Sequence, residues 1–371
     1  MRIRVSGLAG ICLLLALPLA AATGGIESSY HGKLGIGTGL GMLEKWCALP
    51  NFSFPDQGGV DGWVANGCGS CHIGASWNPT RSTANCVTCH GTMAPTAADA
   101  PTIDGCLTCH IKDTEKRGEL FAATADVHLA AGMVCQDCHV RLTDADSDHQ
   151  FAKGRIIDTT LPTAKGTVSC TNAGCHEALP HDAMTDRGAE LNRHTAKVAC
   201  ETCHVGGSRP NWAFNARNWT AFTAEGKPVT TKRLAGFPPQ YKWYDGTGPG
   251  AAGFYHVPIL GVTERRDAPG AKIYPFNSIK VTWYVKKKKS KLDDVIPVPD
   301  VKKADANKDG VVTLEEMRKT YKQATLVSAD MTFSISHGIR PAAEALICSD
   351  CHGCGETFDW IALGYNKDPR K

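Results

Sequence analysis

Hydrophobic residues are unevenly spread along the chain. A first apolar run extends from Leu8 to Leu19, behind Arg2 and Arg4 and ahead of Ala20-Ala21-Ala22. A basic start, a short apolar centre and a small-residue end make a secretory signal, expected to span residues 1–22 and to be cleaved after Ala22. Cys12 lies inside that run and is assigned to the signal alone. No later segment reaches the about 18 apolar residues of a membrane-crossing helix, so the mature chain is not expected to span a membrane. Residues 68–204 hold short apolar stretches broken by Gly, Pro and Thr, which predict short helices joined by irregular loops. Leu314 to Ala324 reads as a helix, and Pro297 and Pro299 interrupt the approach to it. Trp212, Trp219, Tyr241, Trp243, Tyr244, Tyr255, Tyr274, Phe276, Trp283 and Tyr284 crowd the stretch from 205 to 347 and are read as packing residues. The expected fold is mainly short α-helices and irregular loops, with little β.

Elements this short do not bury an ordinary apolar core, and the cysteines supply the reason. The chain has 371 residues and 17 cysteines. Six C-x-x-C-H units occur: Cys68-Cys71-His72, Cys86-Cys89-His90, Cys106-Cys109-His110, Cys135-Cys138-His139, Cys200-Cys203-His204 and Cys348-Cys351-His352. A stretched unit, Cys170…Cys175-His176, keeps the order Cys, Cys, His with four residues between the thiols. Two thiols at this spacing add to the two vinyl groups on one edge of a haem, and the following histidine reaches the iron. Disulfides explain an even cysteine count but not a histidine after every second cysteine, and zinc sites do not need that histidine each time. Seven covalent haems c are therefore expected, with the polypeptide wrapped around a haem core. The layout is a signal at 1–22, a six-haem domain at 23–204, a haem-free insertion at 205–327 and a C-terminal haem segment at 328–371.

The chain has 14 histidines, and seven lie outside the attachment units: His31, His128, His149, His181, His194, His256 and His337. The supply matches one further imidazole per haem. Two imidazoles saturate an iron, which suits electron transfer rather than substrate binding. A formal net charge of +3 gives no reason for a nucleic-acid partner. Lys286 to Lys289 form a basic run, read as a solvated loop or as a docking patch for an acidic redox protein. Residues 305–316 fit an EF-hand-like calcium loop. Asp305, Asn307 and Asp309 stand at positions 1, 3 and 5, and Gly310 takes the sharp turn. Val311 offers its carbonyl at position 7, Thr313 is at position 9 and Glu316 at position 12. One Ca²⁺ is expected there, stiffening the insertion.

The chain resembles the octahaem tetrathionate reductase family of bacterial cytochromes. The resemblance is carried by residues 68–77 (CGSCHIGASW), 192–204 (NRHTAKVACETCH), 241–246 (YKWYDG), 271–276 (AKIYPF) and the stretch from Phe333 to His352. It implies a periplasmic cytochrome with one catalytic haem beside a free cysteine, a position matched by Cys47. This chain lacks the family's first haem motif, stretches the motif at Cys170, carries the calcium loop as an insertion, and has no lysine from Gly91 to Gly105, where the family's iron-bound lysine falls. Cys47 is alternatively a buried apolar residue or a disulfide partner of Cys354. The expected function is electron transfer in a periplasmic or extracellular (secreted) respiratory chain, with redox proteins as partners. The alternative is terminal reduction of a small sulfur or nitrogen oxyanion (tetrathionate, nitrite or hydroxylamine).

Overall fold

The computed structural model describes residues 89–92, 99–140, 151–152, 168–171, 174–209, 211–222, 228–245, 266–285, 295–296, 305–309, 311–353 and 357–371. The signal at 1–22 and the lysine run lie outside them. The first half is helical in short pieces: α1 (Ile103–His110), α2 (Lys112–Arg117), α3 (Val127–Ala130), α4 (Cys135–Cys138), α5 (Asp186–His194) and α6 (Cys200–His204). Asp126 caps α3 by accepting the His128 and Leu129 N–H groups, and Thr185 caps α5 by accepting from Gly188. No described helix is long and apolar enough to cross a membrane.

The second half corrects the expectation of little β. It holds β1 (Ala213–Phe222), β2 (Pro228–Leu234), β3 (Gln240–Tyr244), β4 (Lys272–Val285), β5 (Val295–Ile296), α7 (Leu314–Thr320), β6 (Thr325–Ser334) and α8 (Cys348–Cys351). The strands form a six-stranded mixed sheet centred on β4. Along one edge of β4 lie antiparallel β3, then parallel β1 with β2 outside it, then β5. Along the other edge β6 pairs antiparallel from Phe276↔Ser334 to Val285↔Thr325. The aromatics of the haem-free stretch are thus largely strand residues. Their bulk is visible in the sequence, but their period is hidden, because Ile273 through Asn277 are buried in succession, with both faces of β4 covered there. Pro275 lacks a donor, and its carbonyl still accepts from Ile335.

The described core follows β4. At its start Tyr244, Tyr274, Phe276 and Ala199 pack together. Beside them Trp243, Ile273, Phe358 and Leu363 form a second cluster, so the C-terminal tail folds back onto the sheet. At the far end Tyr284, Val312, Met317 and Ala324 close a third. The sheet also holds the haem-attachment elements. Ile273 donates to the Lys197 carbonyl and accepts from the Ala199 N–H, while the buried Thr202 hydroxyl donates to the same Ile273 carbonyl at 2.7 Å. These bonds pin α6 to β4.

Candidate haem-attachment and axial-ligand sites

Three C-x-x-C-H units open a short helix: Cys135 starts α4, Cys200 starts α6 and Cys348 starts α8. In each, the preceding residue is extended and the first cysteine begins the turn, so cysteines three apart share one face. Two units carry aspartate before the second cysteine. Asp137 accepts the Val134 N–H and Asp350 the Ile347 N–H, both at 2.7 Å, which closes the turn from outside. The histidine then continues the turn: His139 N–H bonds the Cys135 carbonyl and His352 N–H the Cys348 carbonyl. The Cys106 to His110 unit ends α1. The stretched unit turns through Gly174 at φ +80°, a conformation glycine adopts without penalty.

The imidazoles share one arrangement. Among the attachment histidines, the Nδ1 of His139 faces the Ala152 carbonyl at 2.9 Å, that of His204 the Arg340 carbonyl at 3.4 Å, that of His352 the Asp368 carboxylate at 2.7 Å, and that of His90 the Asp99 carbonyl. Among the remaining histidines, Nδ1 faces Asn192 Oδ1 in His181 (3.1 Å), the Glu190 carbonyl in His194 (2.8 Å), Glu119 in His337 (3.0 Å) and Asp126 in His128 (3.4 Å). An Nδ1–H held this way leaves the Nε2 lone pair for a metal, the usual state of a ligating histidine. Burial also pushes the His139 imidazole down, which favours the neutral, ligating form.

The rings then meet in pairs. His128 and His176 have centroids 6.1 Å apart, His139 and His337 6.2 Å, and His194 and His352 6.1 Å. Two metal–nitrogen bonds of about 2 Å plus two ring radii of about 1.1 Å give about 6 Å, so each pair has the separation for one iron between two Nε2 atoms. Each pair joins one attachment histidine to one of the remaining histidines, and the stretched unit contributes His176 on the same terms. Among the described residues no three His, Cys, Asp or Glu side chains gather as a metal cluster.

The attachment sulfurs follow one another in chain order. Cys106 lies within electrostatic reach of Cys89 and hydrogen-bonds Cys135, whose pKa falls to about 6 chiefly through that bond. Cys138 neighbours Cys175, and Cys170 bonds Cys200, which falls to about 7 for the same reason. Burial first, then Cys200 and Cys348, push Cys203 up to about 11; burial and then Cys203 push Cys351 up to about 12. As thioethers these sulfurs no longer titrate, and what persists is their adjacency. Among the described residues Cys89, Cys106, Cys135, Cys138, Cys170, Cys175, Cys200, Cys203, Cys348 and Cys351 form no disulfide.

The calcium-loop residues form a compact turn. Asp309 N–H reaches Asp305 Oδ1 and Asn307 Oδ1, both at 3.2 Å, and Val311 N–H reaches Asp309. Thr313 and Glu316 cap α7 reciprocally. Among the sequence-derived sites, His31, Cys47, Cys68, Cys71, His72, Cys86, His149, His256 and Cys354 lie outside the described residues.

The sequence reading missed the groups behind the imidazoles. Glu119 is fully buried and accepts from the Ser336 and His337 N–H groups as well as His337 Nδ1. Burial opposes its ionisation, but the charge and hydrogen bonds of His337, with Arg117, hold its carboxyl below the usual range. Asp126 accepts from Gly338 and Ile339, and Arg209 donates to the His337 carbonyl, so the loop carrying His337 is fixed from three sides. Glu119 lies in Gly118-Glu119-Leu120, with no local feature that distinguishes it from a surface carboxylate; only the distant contact does.

The comparisons with known proteins agree with this geometry. Residues 230–355 match the family described as bacterial cytochrome c. The crystal structure of octaheme cytochrome c from Shewanella oneidensis superposes with a TM-score of 0.56 at 24% identity, covering 82% of this chain and 81% of that one. No curated protein matches. Over residues 230–355 the chain is similar to bacterial cytochrome c, and its fold is similar to that of an octahaem cytochrome c.

Proposed function

We propose that the protein is an exported electron carrier of a periplasmic or extracellular respiratory chain. It holds seven haems through Cys68/Cys71, Cys86/Cys89, Cys106/Cys109, Cys135/Cys138, Cys170/Cys175, Cys200/Cys203 and Cys348/Cys351. The observation that carries this reading is the set of three histidine pairs at 6.1–6.2 Å. An iron between two imidazoles has no exchangeable position, which favours passing electrons over binding a substrate. Haem, when attached, supplies a one-electron iron couple. The chain supplies the order: each successive attachment unit from Cys89 to Cys351 has a sulfur beside the next, which supports one continuous path with redox proteins at its ends.

The loop at Asp305–Glu316 is a Ca²⁺ site in the same reading. Its ligand spacing supports this, as does its seat on the sheet, where Val312 N–H bonds the Thr220 carbonyl at 2.9 Å and Tyr284 donates to the Val312 carbonyl at 2.7 Å.

Replacing His128, His194 or His337 by Ala tests the pairing. Each variant is expected to keep its haem content and gain one high-spin haem by electron paramagnetic resonance. An unchanged low-spin spectrum removes that histidine as a ligand.

A further inference from the structure

Glu119 is a buried charge that attachment and ligation do not require. A backbone carbonyl serves as the Nδ1 acceptor for His139, His204 and His194. Carboxylates face Nδ1 of His128, His352 and His337, and the one at His337, Glu119, is the most deeply buried of the three, at 0% exposure and 3.0 Å from Nδ1, while the ring itself is 41% exposed. Nδ1 is therefore satisfied inside the protein by a carboxylate, while the ring centroid lies 6.2 Å from that of His139.

Resting on the pairing of His139 with His337, we propose that Glu119 is a positioning residue that sets the reduction potential of the haem attached at Cys135 and Cys138, holding it below the value that a carbonyl acceptor would give. A carboxylate pulling on the Nδ1 proton makes the ring a stronger donor and favours the oxidised iron. Its charge, buried where screening is weak, acts in the same direction. Two cations lie near it: Arg209, which donates to the His337 carbonyl at 3.3 Å, and Arg117, whose guanidinium donates to the Ser334 hydroxyl at 3.3 Å. Neutralising Glu119 alone leaves both guanidiniums uncompensated beside the ligand, so the potential moves further upward. This unit is the fourth of the seven along the chain, which puts the control point in the middle of the path.

The test is potentiometric titration of the holoprotein, followed by optical and paramagnetic resonance spectra. Glu119→Gln keeps an acceptor for Nδ1 and removes the charge. The expected result is an unchanged number of low-spin haems and an upward shift of one midpoint potential, while Glu119→Asp, which keeps the charge, stays near wild type. The shifted haem must be the one that becomes high-spin in His337→Ala. Unchanged potentials in Glu119→Gln, with His337→Ala still producing the high-spin haem, overturn the role of Glu119 and leave the pairing intact. If Glu119→Gln itself loses the low-spin haem, Glu119→Asp decides: a low-spin haem at shifted potential overturns the proposal, and wild-type potential supports it. No high-spin haem in His337→Ala overturns both.

Discussion

Single side chains do two kinds of work in this protein: they face a haem position or they hold the residue that does. Thr202 belongs to the second kind. It is fully buried within Cys200-Glu-Thr-Cys-His204, and its hydroxyl donates to the Ile273 carbonyl. That carbonyl has a second donor in the Ala199 N–H, so Thr202→Val leaves no orphaned acceptor. The cost should be about 1 kcal/mol, that of one neutral hydrogen bond, read as a lower denaturation midpoint at unchanged haem content. No loss of stability would mean that the Thr202 hydroxyl contributes nothing to holding α6 on β4. The histidines stood out as candidates in the sequence because a haem count demands partners. Glu119 and Asp126 were not, since each acts on residues more than 200 positions away. Asp368 is nearer to His352, but nothing local marks a carboxylate in a tail of Lys-Asp-Pro-Arg as a ligand's partner.

At the level of elements, the calcium loop and the sheet depend on each other. EF-hand loops ordinarily work in pairs, and this one pairs with a strand instead, through Ala221↔Val311 and the Val312–Thr220 bond. Lys308 takes a left-handed turn at φ +60° within it, and Met317 on α7 buries against Tyr284 of β4. Binding that orders this loop should therefore stabilise the sheet. At about a hundredfold excess over its Kd, Ca²⁺ should contribute about 2.7 kcal/mol, seen as a fall in Tm on chelation that is restored by Ca²⁺. Glu316→Gln should weaken binding at least about tenfold. A Tm indifferent to chelator would remove the ion from the account. The loop was readable as a candidate because its proposed ligands are close in sequence. The sheet was not, because β4 is buried on both faces for part of its length and its four strand partners are long-range or interrupted by loops.

Across the described residues, the sheet is the frame and the Cys200 and Cys348 units rest against it. The tail after β6 carries His337 back to Glu119 and Asp126, then sends Arg340 N–H to the His204 carbonyl and Leu346 N–H to the Cys203 carbonyl. The last attachment unit thereby comes to rest against the sixth, although 143 residues of sequence without a C-x-x-C-H unit separate His204 from Cys348. Motif spacing announced how many haems to expect and left this return path invisible. The three imidazole pairs make axial saturation the feature on which the proposed electron-carrier role stands.

The most direct test is paramagnetic resonance of the fully oxidised protein, quantified against haem content from its intact mass. The account predicts seven covalent haems on residues 23–371, all low-spin, with no high-spin signal. A stoichiometric high-spin haem in the wild-type protein would contradict it, exposing an open iron of the kind that a reductase requires.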